Sequence, residues 1–128
     1  MTAVVRLGSG GPWEEAFGYS RAVRAGPFLL SAGCTSTVDG EVVHVGDAYA
    51  QAVCAFGIAL EALGKLGADP GDVVRTRMYV VNSDDCEAVG RAHGSVFEAV
   101  RPAATMVVVA KLLHPDHLVE VEVEAYRP

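Results

Sequence analysis

Ala104-Thr105-Met106-Val107-Val108-Val109-Ala110 and Leu118-Val119-Glu120-Val121-Glu122-Val123-Glu124-Ala125-Tyr126 close the chain, and their reading decides the fold. The second segment alternates apolar and acidic residues along its length, the period-2 pattern of a strand with one buried face. The first is largely apolar on both alternating faces, which is normal for a strand covered on both sides. Two strands of such different character predict a sheet with one face closed by helices and the other covered from elsewhere. A second copy of the chain is the simplest cover, which leads to the expectation of a closed ring or barrel of copies.

Working outward, Val73–Val81 is β-branched and alternating, with Arg75, Arg77 and Tyr79 on one face and Val74, Thr76, Met78 and Val80 on the other. Between Asp47 and Leu66 the apolar residues Tyr49, Ala52, Phe56, Leu60 and Leu63 recur at helical spacing. Asp47 can cap that helix and Gly67 can end it in a left-handed conformation. A second helix is predicted from Asp84, with Glu87 completing a capping-box analogue, to about Ala99. Ser20–Val23 and Phe28–Ala32 read as strands joined at Ala25-Gly26-Pro27, and Asp39-Gly40 marks a tight turn between 36–38 and 42–45. Residues before about 18 read as a glycine-rich loop. The order β-β-α-β-α-β-β predicts an α+β sandwich with both helices on one face of a single sheet. At 128 residues the chain has room for one domain, 1–128.

Composition narrows the function. Sixteen acidic residues against ten basic ones give a formal net charge of −6, and the bases are scattered along the sequence. Nucleic-acid binding calls for a concentrated basic surface, so nuclease activity is disfavoured. Cys34, Cys54 and Cys86 lack CxxC spacing, which predicts reduced thiols rather than a disulfide framework or structural zinc. Mean hydropathy is +0.28, yet no apolar run approaches the ~20 residues that span a bilayer. A cytoplasmic protein with apolar surface buried between subunits is the expectation.

The residues resemble the Rid family, also called the YjgF-type or L-PSP endoribonuclease-like family. The likeness lies in Gly18-Tyr19-Ser20, Phe28-Leu29-Leu30-Ser31-Ala32-Gly33, the first helix, Val73–Val80, Phe97, Arg101-Pro102-Ala103-Ala104-Thr105 and Leu118-Val119-Glu120-Val121-Glu122. The resemblance implies a chorismate-mutase-like fold, with one mixed sheet and two helices on one face, assembled as a homotrimeric barrel. It also implies small-molecule clefts between subunits and no cofactor. The best-known members hydrolyse enamines and imines derived from amino acids to 2-oxo acids and ammonia. In them an arginine at the head of the last-but-one strand clamps the substrate carboxylate, and a glutamate on the last strand holds the attacking water. Here Glu120 falls on the glutamate position and Ala104 on the arginine position. Gly90 replaces a frequent polar helix residue, and Cys34 stands where glutamine is common.

The resemblance therefore implies a hydrolase-like, cofactor-independent enzyme acting on an imine, enamine or other reactive carbonyl compound without an amino-acid carboxylate. A metabolite-binding trimer without catalysis is the alternative, and endoribonuclease or translation-inhibitor activity the least favoured reading. Glu120 is the expected acid–base group, against the bland alternative of a solvated acidic strand face shared with Glu122 and Glu124. Cys34 is either a nucleophile at the cleft or a small packed residue. Tyr19, Gly33, Thr105 and Met106 are the expected ligand contacts, with backbone amides near Cys34 and Thr105 polarising the substrate. Arg101 offers a relocated positive charge or answers a helix dipole. His93 is a cleft candidate contributed by a neighbouring subunit. His114 and His117 have metal-binding spacing but read as an exposed turn.

Overall fold

The computed structural model describes residues 3–128. The strongest pattern in the sequence, 119–126, becomes β8 (Val119–Tyr126), and it is placed inside the sheet rather than at an edge. The six-stranded sheet runs β1 (Val4–Leu7), β2 (Ala22–Ala25), β3 (Phe28–Ser31), β8, β6 (Val73–Val80) and β7 (Ala103–Val108). Only β6 and β7 pair in parallel, and helix α3 (Cys86–Phe97) makes the crossover that a parallel pair requires. A small hairpin, β4 (Thr37–Val38) with β5 (Glu41–Val42), turns at Asp39 and Gly40, both at positive φ.

Helix α2 (Ala48–Lys65) packs on β8 and against α3. Val119, Val121, Val123 and Ala125 are all buried on that side, as the alternation requires, and meet a shared core that includes Ala52, Phe56 and Phe97. Each fully buried valine contributes about 1.5–3 kcal/mol through the apolar surface removed from water. The Asp47 side chain accepts the Ala50 N–H at 3.0 Å, and Gly67 at φ 102° ends the helical stretch. Buried Gln51 is fully paired. Its Nε2 donates to the carbonyls of His44 (3.2 Å) and Asp116 (2.9 Å), and its Oε1 accepts the Leu118 N–H (2.9 Å). The clamp ties the loop before β8 to α2.

Four expectations are corrected. The first 18 residues are not all loop: β1 extends the sheet, and α1 (Pro12–Phe17) is a short helix ending on left-handed Gly18. Helix α1 buries none of its residues, so it carries no amphipathic signal. The first hairpin strand is Ala22–Ala25, two residues later than Ser20–Val23. Glu87 does not complete a capping box, because α3 starts at Cys86 and its N-cap, Asp85, makes no side-chain cap bond. Finally, a β-bulge between Val73 and Arg75 breaks the alternation in β6. Val74 is turned out and 51% exposed, while Val73 takes its place in the core.

Candidate active site

The sheet face opposite the helices carries every second residue of β8 and its neighbours. Strand register sets Glu120 beside Tyr79, Glu122 beside Arg77 and Glu124 beside Arg75. Two of the three carboxylates are engaged. Arg77 Nη1 donates to Glu124 Oε1 at 2.9 Å and lies 3.7 Å from Glu122 Oε2. The Tyr79 hydroxyl donates to Glu122 Oε1, a bond that raises the tyrosine's own pKa with help from burial.

Glu120 is different. Among the described residues it accepts no side-chain hydrogen bond and forms no ion pair, although it is half-buried. Burial raises its carboxyl pKa above the ordinary value, the negative charge of Glu122 adds to the effect, and Arg21 opposes it. The carboxylate rests on the backbone of Gly33. A Cβ on Gly33 would lie 2.0 Å from Glu120 Oε2, so only glycine leaves room for the carboxylate in this position. A half-buried carboxylate with free lone pairs and raised proton affinity suits proton transfer near neutral pH.

The other expected site residues divide between the two sides of the sheet. Tyr19 is exposed, with the Arg21 guanidinium 6.0 Å from its ring centroid, which places it with Gly33 and Glu120 through Arg21. Thr105 is exposed on β7 and shares the open face, since it pairs with Arg77. Met106 points the other way, toward α3, where its Cε would meet a Cβ on Gly90 at 3.8 Å. Ala104 pairs with buried Thr76 and so also lies on the helix side. Within one chain, then, the Glu120 and Ala104 side chains leave opposite faces of the sheet.

Cys34 is not offered to a cleft. It is 1% exposed, burial raises its thiol pKa against the opposing charge of Arg21, and its Sγ donates to the Ala32 carbonyl at 3.4 Å. Its N–H is bonded to Val121 O at 2.8 Å and is not free to polarise a substrate. His93 is packed on the helix side. Its Nε2 bonds the Thr76 hydroxyl at 2.7 Å, its ring meets Phe56 edge-on and lies tilted against Phe97, and burial lowers its pKa. Arg101 is exposed in the left-handed region at φ 57°, with its N–H bonded to Phe97 O at 2.8 Å. It ends the α3 segment instead of entering the Glu120 corner. His117 Nε2 bonds Thr37 at 2.9 Å, and among the described residues no three metal-ligating side chains cluster.

Sequence reasoning missed Arg21. Its Nη1 donates to Gly33 O at 2.7 Å and lies 3.5 Å from Cys34 Sγ, while its Nε is 4.0 Å from Glu14 Oε2. The period-2 step from Tyr19 to Arg21 is the available signal, but an isolated arginine ahead of a short strand reads as a surface charge.

The mixed sheet with β8 inside it, and a glutamate set against a glycine just after the neighbouring strand β3, define a YjgF-type α+β protein. The chain belongs to the Rid (YjgF) family: the family model described as Endoribonuclease L-PSP matches residues 13–127. It is 46% identical over 125 residues to the Streptomyces coelicolor protein SCO2049, covering 98% of this chain and 93% of that one. Against the archaeal Pyrococcus abyssi RutC family protein PYRAB12510 it is 30% identical, with 85% and 86% covered. Among solved structures, Rv2704 of Mycobacterium tuberculosis, a member of the YjgF/YER057c/UK114 family, superposes with a TM-score of 0.87 at 41% identity. That match covers 97% of this chain and 99% of Rv2704. No helix among the described residues is long and apolar enough to cross a membrane.

Proposed function

We propose that the chain is a small-molecule enzyme that hydrolyses an imine or enamine, or processes a related reactive carbonyl compound, with Glu120 as the proton-transfer group. The observation that carries this reading is the half-buried Glu120 carboxylate, held against Gly33 with no partner for its lone pairs while Glu122 and Glu124 are both engaged. As water oxygen bonds to the imine carbon, Glu120 takes one water proton and the C=N electron pair moves to nitrogen. Glu120 passes that proton to nitrogen to give a neutral carbinolamine. It then takes the carbinolamine hydroxyl proton as the C–N bond breaks with its electron pair leaving on nitrogen, and delivers that proton to the departing amine. The carbonyl forms and the amine leaves, so the sequence consumes one water and transfers no electrons. Tyr19 and Thr105, both exposed, are proposed to orient the ligand.

The cleft is proposed to lie between copies in a homotrimer. The exposed apolar edge strand β7 supports this, because Ala103, Ala104, Val107 and Val108 lack cover within the chain. So does the opposite facing of Glu120 and Ala104, which can meet only across a boundary between copies. Sedimentation should give a mass near three times 13.4 kDa, and a mass of 13.4 kDa would refute the shared cleft.

Alanine at position 104 has no charge with which to hold a carboxylate, so the substrate should be one without an amino-acid carboxylate. Imine hydrolysis is measured as ammonia or amine release across a panel that includes in-situ 2-aminoacrylate and carboxylate-free imines. Turnover of carboxylate-free imines is expected, with slow conversion of 2-aminoacrylate to pyruvate. Ala104 also favours a second reading, metabolite binding without turnover. Saturable ligand binding with no release above the buffer rate across the whole panel would select it.

A further inference from the structure

Glu120 has a cation beside it that does not pair with it. Arg21 lies just ahead of β2, its N–H bonded to Leu7 O and its carbonyl accepting the Ala32 N–H, both at 2.8 Å. Its side chain is 19% exposed, and its Nη1 is committed to the Gly33 carbonyl at 2.7 Å. Glu14 stands at its Nε, 4.0 Å away, and is itself held by the Ser9 N–H at 3.0 Å. These contacts anchor the guanidinium on the same glycine that the Glu120 carboxylate rests against, and no ion pair closes between the two. A cation bonded directly to Glu120 would occupy the lone pairs that a base needs. A cation held one residue away leaves them free and still opposes the cost of burying the charge.

We infer that Arg21 is a positioning residue for Glu120: anchored on the Gly33 carbonyl, it fixes the glycine backbone that seats the carboxylate and sets a positive charge beside it without capping it. The positive charge of this site is thus supplied from the β2 side of the open face, independently of position 104. The other titratable or charged groups acting at this corner are Glu122 from β8 itself, Tyr79 from β6, and Cys34 after β3. Cys34 is buried as the thiol, Tyr79 is held as the phenol by Glu122, and Arg77 is spent on Glu122 and Glu124, so Arg21 is the cation that acts on Glu120 itself.

The inference rests on the proposed role of Glu120, but its test needs no substrate. The Glu120 side-chain carboxyl is labelled with 13C and titrated by NMR in wild type, Arg21→Gln and Arg21→Lys. Removing the charge should raise the Glu120 midpoint by roughly one pH unit, and lysine should restore most of that shift. An unchanged midpoint in folded Arg21→Gln would overturn the inference. Should Arg21→Gln fail to fold, the wild-type Arg21 side-chain 15N signals serve instead. They should move with the Glu120 midpoint and lose that inflection in Glu120→Gln, whereas signals blind to Glu120 would overturn the inference. Failure of the imine assay with a positive titration would strike the proposed reaction alone, and the reverse outcome would strike Arg21 alone.

Discussion

The open face of the sheet has two regions built from the same strand. Toward the Tyr126 end of β8, Glu122 and Glu124 are tied to Arg77 and Tyr79 and form a closed polar network. At the other end Glu120 lies against Gly33 and is left unbonded. The sequence repeat is identical, Val-Glu-Val-Glu-Val-Glu, so the difference comes from what the neighbouring strands place opposite each glutamate. Satisfied carboxylates stabilise a surface, whereas an unsatisfied and half-buried one is costly and persists where chemistry needs it.

The sharpest way to break this contrast is substitution along the repeat. Glu120→Gln should lower turnover by about 10²–10⁴-fold, the usual contribution of a general base, while Glu122→Gln stays within a few-fold. Equal losses would mean that the two regions do not differ. Gly33→Ala attacks the same corner from the other side. Its Cβ would sit 2.0 Å from Glu120 Oε2 and displace the carboxylate, so activity should fall by about 10²-fold in a protein whose circular dichroism is unchanged.

Stability should show the opposite ranking. On the helix side, Thr76→Val strips His93 Nε2 of its partner and should cost about 1–3 kcal/mol by urea unfolding, with turnover retained. Glu120→Gln should be more stable than wild type at pH 7. Because burial raises the Glu120 pKa above 4.5, the folded state holds that proton more tightly than the unfolded chain. Its stabilising effect is complete below 4.5 and is lost as pH rises through the folded value; the glutamine variant should lack that slope. The smallest effect belongs to the closed network. Arg77 and Glu124 are 36% and 32% exposed at their side chains, so Arg77→Ala should cost less than about 1 kcal/mol.

Much of this fold is legible in the amino-acid order, for a physical reason. Strand β8 is buried on one face only, so its alternation is written into residues 119–126, and α2 carries a capped amphipathic repeat. Helix α1 and strand β1 are not legible, because α1 buries nothing and β1 is four residues long. The β6 bulge is invisible for a related reason: Val73 and Val74 are both valine, and only the pairing register decides which one is buried. In the site, Glu120, Gly33 and Tyr19 are readable through the family resemblance. Cys34 is not, since a small thiol serves a core or a cleft equally well by type. Arg21 escapes because its importance lies in a bond to a carbonyl twelve positions away.

The central claim is that the proton Glu120 holds is the proton the reaction moves. Measuring kcat/KM against pH for a turned-over imine, alongside the 13C titration of Glu120 in the same protein, compares the two. Activity should rise with pH along a limb whose midpoint coincides with that of Glu120, and the limb should vanish in Glu120→Gln. A midpoint well separated from the Glu120 titration, or an unchanged limb in the glutamine variant, would contradict that claim.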